Sequence, residues 1–260
     1  APSKKLGLGS SSAAAAAAAA ALLAAAGRDT TTQESRALLL RAAMRGHHAV
    51  APAGSGVDVA AAALGGILAF RRVGRGADDI EVTPLDTTWL NDGRLHIRVT
   101  WTGIEVRTSD FLARLRQWQA ENAAAFASHM TALRQSATRF KAAFAAADVA
   151  GVIAAAADYG HAMARLGEAA NLPIVEERLR QMAHIATAHG GAAKPSGAGG
   201  GDVGVAFFPS TTAAQGYDAA CRNAGLLPLD LKLAAPGANA TRAALPCDPP
   251  PPSSEEYHAP

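Results

Sequence analysis

A run of alanines behind a loop of glycine and serine constrains the fold of this 260-residue chain more than any other feature. Residues 13–26 are alanine except for Leu22 and Leu23, and alanine is the strongest helix former among the amino acids. Residues 6–12 contain two glycines and three serines, and Gly27 follows the run. Glycine directly after a helical pattern is a common C-terminal helix signal. The sequence therefore predicts a loop that leads into a helix over residues 13–26.

The same run also imitates an export signal, because Lys4 and Lys5 precede it. Alanine is barely apolar, however, and the polar residues 9–12 lie where an export signal is already hydrophobic. A membrane-spanning helix also needs about 20 apolar residues, which is more than this run provides. We therefore expect a cytoplasmic protein with no membrane partner, and the two cysteines, Cys221 and Cys247, are too few for a disulfide framework.

Composition excludes several other classes of function. The 49% of hydrophobic residues is ample for a buried core, so the chain is expected to be globular. The net charge is only +2 and the basic residues are scattered, whereas binding to nucleic acid needs a basic stripe. No Cys/His cluster has the spacing of zinc ligands, and no feature points to an obligate protein partner. A small ligand that carries phosphate remains compatible with this composition.

Periodicity and turn residues predict an α+β fold made of two units and a tail. In the first unit, residues 1–93, further helices are expected over residues 33–45 and from residue 57, and strands over residues 67–73 and 80–82. The second unit, residues 94–235, is expected to be antiparallel α+β, with strands at 95–102, 203–208 and 228–233 and helices at 109–126, 130–146, 149–166, 174–189 and 211–224. Residues 236–260 are rich in proline and are expected to be a disordered tail.

The loop before the alanine helix has the residue types of a phosphate site. Gly7 and Gly9 allow the backbone to approach an anion closely, and the helix behind them presents free N–H groups and the positive end of its dipole. The hydroxyls of Ser10 and Ser11 can add hydrogen bonds or reach a magnesium ion. A glycine-serine linker that caps a helix would look similar, so this loop alone leaves both interpretations open.

A second glycine-rich segment, residues 194–202, precedes the strand expected at residues 203–208. Gly197, Gly199 and Gly200 belong to a group of four glycines within five residues, which permits repeated positive φ. Successive amides in that geometry form an anion-binding nest. The alternative is a flexible linker, although a linker rarely stops so abruptly at a buried-looking strand.

The third segment, residues 54–60, places Asp58 at the start of a helix, behind two glycines. Capping of the helix is one role for this carboxylate, and chemistry on a transferred phosphate is the other. Five other side chains can contact a substrate, although we expect the histidines in solvated loops and the arginines on solvated faces: His47, His48, Arg71, Arg72 and Arg107.

Together, the three segments resemble the GHMP kinase superfamily in their order and spacing. Residues 7–13 are similar to its second motif, and residues 194–202 to its third motif in the form found in phosphomevalonate kinases. Residues 54–60 resemble the segment with the family's catalytic aspartate, and the resemblance extends to about residue 233. It implies the two-domain GHMP kinase fold, in which the C-terminal domain is ferredoxin-like with extra helices.

The resemblance implies phosphoryl transfer from ATP, with Mg²⁺, to the phosphorylated acceptor 5-phosphomevalonate, giving a diphosphate in isoprenoid precursor synthesis. It assigns catalysis to Lys5 and Asp58, and the phosphate of the acceptor to Lys194 and Ser196. Ser11 becomes the candidate metal contact, although the additional Ser12 leaves open which hydroxyl reaches the metal. The ATP phosphates are assigned to a larger set, namely Gly7, Gly9, Ser10, Ser11, Gly197, Gly199 and Gly200.

One departure from the family pattern is large. The first GHMP motif, a Pro-Gly-Lys segment, is nowhere in this sequence, and we therefore expect a fragment of a longer protein. Two alternatives to the phosphomevalonate assignment stay open. One is a mevalonate kinase or another GHMP sugar or alcohol kinase, and the other is a non-catalytic GHMP-like binding protein.

Overall fold

The computed structural model describes residues 6–52, 54–105 and 108–241. Within these ranges no helix is both long enough and apolar enough to cross a membrane. The elements, in chain order, are α1 Ser10–Ala25, α2 Gln33–Val50, α3 Val57–Leu64, β1 Leu68–Arg72, β2 Ile80–Pro84, a 3₁₀ turn Thr88–Asp92, β3 His96–Trp101, α4 Thr108–Glu121, α5 Ala123–Ala145, α6 Val149–Ala170, α7 Glu177–Ala188, β4 Ala192–Pro195, β5 Val203–Phe208, α8 Thr211–Asn223 and β6 Leu227–Leu229.

The first three helices pack together, and alanine allows their close approach. The buried side of α1 contains Ala16 and Ala20, whose small side chains let α2 and α3 both lie against this helix. Leu39 and Met44 of α2 and Val59 of α3 complete this core. The antiparallel hairpin of β1 and β2 follows α3. The predicted helix over the alanine run is confirmed, and it begins three residues earlier, at Ser10.

The second part of the chain forms a four-stranded antiparallel sheet in the order β4-β5-β3-β6. The strands and helices follow the βαββαβ connectivity of ferredoxin-like domains, and α4 to α7 all lie in the first crossover. Phe208 of β5 packs against Tyr217 of α8 in the core, with ring centroids 4.8 Å apart. The predicted α+β class and the ferredoxin-like arrangement with extra helices are confirmed, whereas the boundary at residues 93 and 94 stays a prediction.

Helix α2 continues past the predicted end. We expected Gly46 to stop it, but the helix runs to Val50 and includes both histidines of its last turn. Gly46 does not adopt a positive φ, so it acts as an ordinary, if weak, helical residue. Pro52 is the reason for the true end, because a proline disfavours helical geometry in the residue before it, and Ala51 has φ −133°.

Two other predictions about elements were wrong in detail. The break between α4 and α5 lies at Asn122 and not near residue 128. The predicted start of α6 at Val149 is confirmed, and the Asp148 carboxylate caps this helix by accepting from the Gly151 N–H at 3.0 Å. The predicted strand over residues 228–233 shrinks to β6, since only Leu227–Leu229 pair with β3.

The start of the expected disordered tail is ordered. Residues 236–241 return to the first helices, where the Ala238 N–H donates to the Ala62 carbonyl at 2.8 Å. The Ala240 N–H donates to the hydroxyl of the buried Thr30, which in turn donates to the Ala240 carbonyl, both at 3.1 Å. These hydrogen bonds correct the prediction of disorder for residues 236–241. Residues 242–260 lie outside the described residues.

Candidate functional site

The loop before α1 ends in the geometry of an anion site. Gly9 is the N-cap residue in the left-handed region, with φ 76°, and within the described part of the chain no side chain caps this end of the helix. Its carbonyl accepts from the Ala13 N–H at 2.9 Å, so the N–H groups of residues 10–12 have no intrahelical acceptor. The first turn contains no acidic residue. The free N–H groups and the positive dipole end therefore favour an anion here.

The three serines of this turn face different surroundings. Ser10 and Ser11 are exposed, whereas Ser12 is buried at 3% exposure. The hydroxyl oxygens of Ser11 and Ser12 each lie 3.5 Å from Nε2 of His47, in the last turn of α2. Ser11 thus keeps a hydroxyl at the surface for a ligand, and the additional serine, Ser12, is turned into the protein.

Asp58 lies beside this loop, in the first turn of α3. Its side chain is exposed, and a Cβ atom placed on Gly9 would stand 3.4 Å from the Asp58 Cβ and 3.8 Å from its Oδ2. The N-cap of α3 is Gly56, which has no side chain, and the hydroxyl of Ser55 accepts from the Val57 N–H of the first turn at 3.3 Å. Asp58 is thus the second residue of α3 and not its N-cap, and the helix that carries the carboxylate holds it next to Gly9; its chemical role stays a prediction.

The second glycine loop has the predicted run of positive φ. Gly199 and Gly200 each have φ 88°, Gly201 has φ 149° and Asp202 has φ 53°. The Gly200 N–H donates to the Ile174 carbonyl at 2.8 Å, so this amide serves the packing of the loop. Gly197 is exposed with open space around its Cα, and its binding role, like those of Gly199 and Gly200, stays a prediction.

The two glycine loops meet across the two parts of the chain. A Cβ on Gly7 would stand 2.5 Å from Cγ of Asp202 and 2.7 Å from its Oδ2, so only glycine fits against this carboxylate. Thr102 fixes Asp202 from the other side, because its hydroxyl and its N–H both donate to the Asp202 carbonyl, at 2.9 Å and 2.8 Å. The structure thus brings the predicted segments 7–13 and 194–202 together.

Lys194 belongs to a strand and not to the glycine loop that follows it. It lies on β4, half-buried, and its ammonium group is 5.2 Å from the centroid of the Tyr159 ring and donates to the Pro195 carbonyl at 2.9 Å. Burial lowers the pKa of Lys194 to about 8, because removal from water disfavours the charged form. Ser196 is exposed, and its N–H donates to the Val203 carbonyl at 3.1 Å. The acceptor-binding roles of both residues stay predictions.

We expect the pKa of Lys194 to reveal whether this residue meets the acceptor. A phosphate group beside the ammonium would favour its charged form. Binding of 5-phosphomevalonate, the acceptor that the family resemblance implies, should therefore be accompanied by proton uptake at about pH 9, with far less uptake at about pH 7. Calorimetry in two buffers of different ionisation enthalpy measures this uptake. Lys194→Met should abolish it. Equal proton uptake in the parent and the variant would show that the acceptor lies elsewhere.

Other residues singled out from the sequence have ordinary contacts or lie outside the described part. Lys5 and Arg107 are among the residues that the structure does not describe. Arg71 pairs with Glu81 on an exposed face, at 2.7 Å. Arg72 instead donates to the Ser55 carbonyl at 2.9 Å, and also to two carbonyls of the β1–β2 turn. It therefore holds the segment before Asp58, a role that sequence reasoning missed because backbone acceptors leave no pattern in a sequence.

Comparison with known proteins supports the resemblance to GHMP kinases that the sequence motifs carry. A family model described as the GHMP kinases N terminal domain matches residues 2–66, and one described as GHMP kinases C terminal matches residues 140–225. A phosphomevalonate kinase from Streptomyces sp. (strain CL190) is 31% identical over an alignment of 207 residues, which covers 72% of this chain and 54% of that protein. The chain therefore spans about half the length of this relative.

Solved structures share the fold. The crystal structure of a Lin0012 protein from Listeria innocua superposes with a TM-score of 0.76 at 24% identity, over 87% of this chain and 66% of that one. The phosphomevalonate kinase of Streptococcus pneumoniae, in complex with phosphomevalonate and AMPPNP, has a TM-score of 0.71 at 18% identity, over 88% of this chain and 70% of that one. With both family models matched in order along one chain of this fold, the chain belongs to the GHMP kinases.

Proposed function

We propose that the protein transfers the γ-phosphoryl group of ATP to the phosphate of 5-phosphomevalonate. The observation that carries the proposal is the contact of three segments at one point. Gly9 opens α1 in a left-handed conformation, the exposed Asp58 carboxylate lies beside it, and Asp202 of the second glycine loop packs on Gly7. An uncapped helix end, an acid and a second glycine loop are the parts that phosphoryl transfer needs for positioning and charge stabilisation.

The reaction balances without a base. An oxygen of the acceptor phosphate attacks the γ-phosphorus, the bond from this phosphorus to the β,γ-bridging oxygen breaks, and ADP leaves with that electron pair. A phosphate monoester has its second pKa near 6 and is mostly a dianion at about pH 7. Its oxygen therefore has no proton to lose, and the roles left to the protein are orientation and the stabilisation of developing negative charge.

The described residues also fit a nucleotide-bound magnesium ion. They contain no group of three or more His, Cys, Asp or Glu side chains that would make a cage for a metal. Magnesium is commonly held by one or two carboxylates, with the phosphates and water completing its shell. Asp58 and the exposed Ser11 hydroxyl are the residues that would hold it, and it would supply charge neutralisation to the phosphates.

Nucleotide binding tests the proposal through Gly9. We expect Gly9→Val to weaken binding of Mg·AMPPNP by at least about 10-fold, because the side chain keeps the backbone away from a phosphate. Gly27→Val is the matched control. Gly27 ends the same helix with φ 74° and has open space around its Cα, so this variant has a similar backbone strain at the opposite end of α1. Calorimetry provides both dissociation constants.

The two variants separate the possible outcomes. If Gly9→Val and the parent bind Mg·AMPPNP with equal affinity, the loop at residues 7–13 does not hold the phosphates of the nucleotide. Equal weakening in Gly9→Val and Gly27→Val would assign the effect to the stability of the helix. Binding of nucleotide without any turnover would favour the non-catalytic alternative.

A further inference from the structure

His47 lies between two of the segments that form the candidate site. Its Nε2 atom is 3.5 Å from the hydroxyl oxygens of both Ser11 and Ser12. Its Cε1 atom would stand 3.8 Å from a Cβ on Gly54, in the segment that leads to Asp58. The sequence predicts a solvated loop position for this histidine. Its ring is instead half-buried and lies against Ser11 and Ser12.

The backbone of His47 is held by a packed helix. Its carbonyl accepts from the Ala51 N–H at 2.8 Å, which closes the last turn of α2. Leu39 and Met44 of the same helix are buried against α1 and α3. The imidazole is therefore presented to the serines from a helix that packs on both neighbouring elements of the site.

The hydrogen-bonding capacity of the ring determines what it can do to Ser11. A serine hydroxyl has one proton and two lone pairs, and a neutral imidazole has one donor nitrogen and one acceptor nitrogen. When Nε2 accepts the hydroxyl proton, the lone pairs of the serine oxygen are left for a cation. When Nε2 donates, the hydroxyl proton is left for a phosphate oxygen. The tautomer of one histidine thus selects between a cation ligand and a phosphate donor.

We propose that His47 is a positioning residue that accepts the Ser11 hydroxyl proton at Nε2 and so turns the Ser11 oxygen toward the cation of the bound nucleotide. The inference rests on the proposed function, because the cation arrives with ATP. This hydrogen bond would restrict the rotation of the exposed Ser11 hydroxyl. The magnitude expected for one such hydrogen bond, about 0.5 to 1.5 kcal/mol, corresponds to about a 2- to 13-fold change in affinity.

Binding with and without the cation tests this role. We expect His47→Leu to weaken binding of AMPPNP in the presence of Mg²⁺ by about 3- to 10-fold and to leave binding in EDTA within about 2-fold. His47→Gln retains an acceptor oxygen and should recover most of the Mg²⁺-dependent affinity. His48→Leu is the matched control, since His48 is a half-buried neighbour whose ring makes no hydrogen bond to the described residues. Equal losses with and without Mg²⁺, or the same loss in His48→Leu, would overturn the inference.

A second measurement needs no nucleotide and separates this inference from the proposed function. The ¹⁵N chemical shifts of the ligand-free protein report the tautomer of each histidine ring. We expect His47 to carry its proton on Nδ1, and Ser11→Ala to shift the Nε2 resonance of His47 while leaving His48 unchanged. A proton on Nε2, or an unchanged resonance in Ser11→Ala, would overturn the inference. If the parent binds no AMPPNP, the proposed function fails, and these shifts alone decide whether His47 orients Ser11.

Discussion

Asp58→Asn is expected to lower kcat by about 10²- to 10³-fold, the scale of one lost electrostatic contact, while leaving activity detectable. The carboxylate is exposed, lies beside Gly9 and is carried by the first turn of α3. Asparagine has the same shape as aspartate but no charge. The variant therefore loses the negative charge that would hold the Mg²⁺ ion of the nucleotide, and it retains the geometry of the side chain. Steady-state kinetics with 5-phosphomevalonate measures the effect. Because a dianionic acceptor needs no general base, we expect residual turnover in this variant.

Stability and substrate preference complete this experiment. The Asp58 side chain makes no hydrogen bond to the described residues, and a favourable helix-dipole contribution is only about 0.3 to 1 kcal/mol, so the melting temperature should fall little. An unchanged kcat would remove Asp58 from the mechanism. We also expect a much higher kcat/KM for 5-phosphomevalonate than for mevalonate. The reverse preference would favour an alcohol kinase, in which Asp58 accepts the proton of the hydroxyl group.

Gly65→Ala is expected to destabilise the protein by about 3 kcal/mol or more. Gly65 follows α3 with φ 69° and ψ −170°, a region that is essentially restricted to glycine. A Cβ at this position would stand 2.5 Å from the Ala235 carbonyl oxygen and would also overlap the Gly237 backbone. The strain and the displaced segment add about 1 to 3 kcal/mol each. Thermal unfolding should show a fall in melting temperature of roughly 6–12 °C.

The neighbouring glycine is a matched control. Gly66 has φ 68°, and a Cβ there meets nothing within 4 Å. Gly66→Ala therefore adds backbone strain without a collision. Its melting temperature should fall less than that of Gly65→Ala, at the same rate of roughly 2–4 °C for each kcal/mol of lost stability. If both variants lose the same stability, residues 235–241 do not contribute to the fold of the first helices.

Several local elements and the order of the motifs are determined by the sequence alone. Helix propensity is sufficient for α1, where alanine follows alanine and no neighbour has to be known. The strand over residues 203–208 was predicted with the bounds that β5 has, because β-branched and aromatic residues stand together between a glycine loop and the N-cap of α8. Glycine loops and an acid at the start of a helix are also local patterns, so the sequence alone predicts the residues of the candidate site.

Contacts between distant segments were decided only by the tertiary structure. β4 consists of two alanines, a lysine and a proline, which have little intrinsic preference for a strand, and it forms because β5 offers a partner edge. Gly7 meets Asp202, and His47 meets Ser11, across separations in sequence that leave no periodic signal. The low pKa of Lys194 likewise comes from burial by the fold. Propensity acts between neighbours in the chain, whereas these features depend on packing between elements, and packing is specified only when the whole chain has folded.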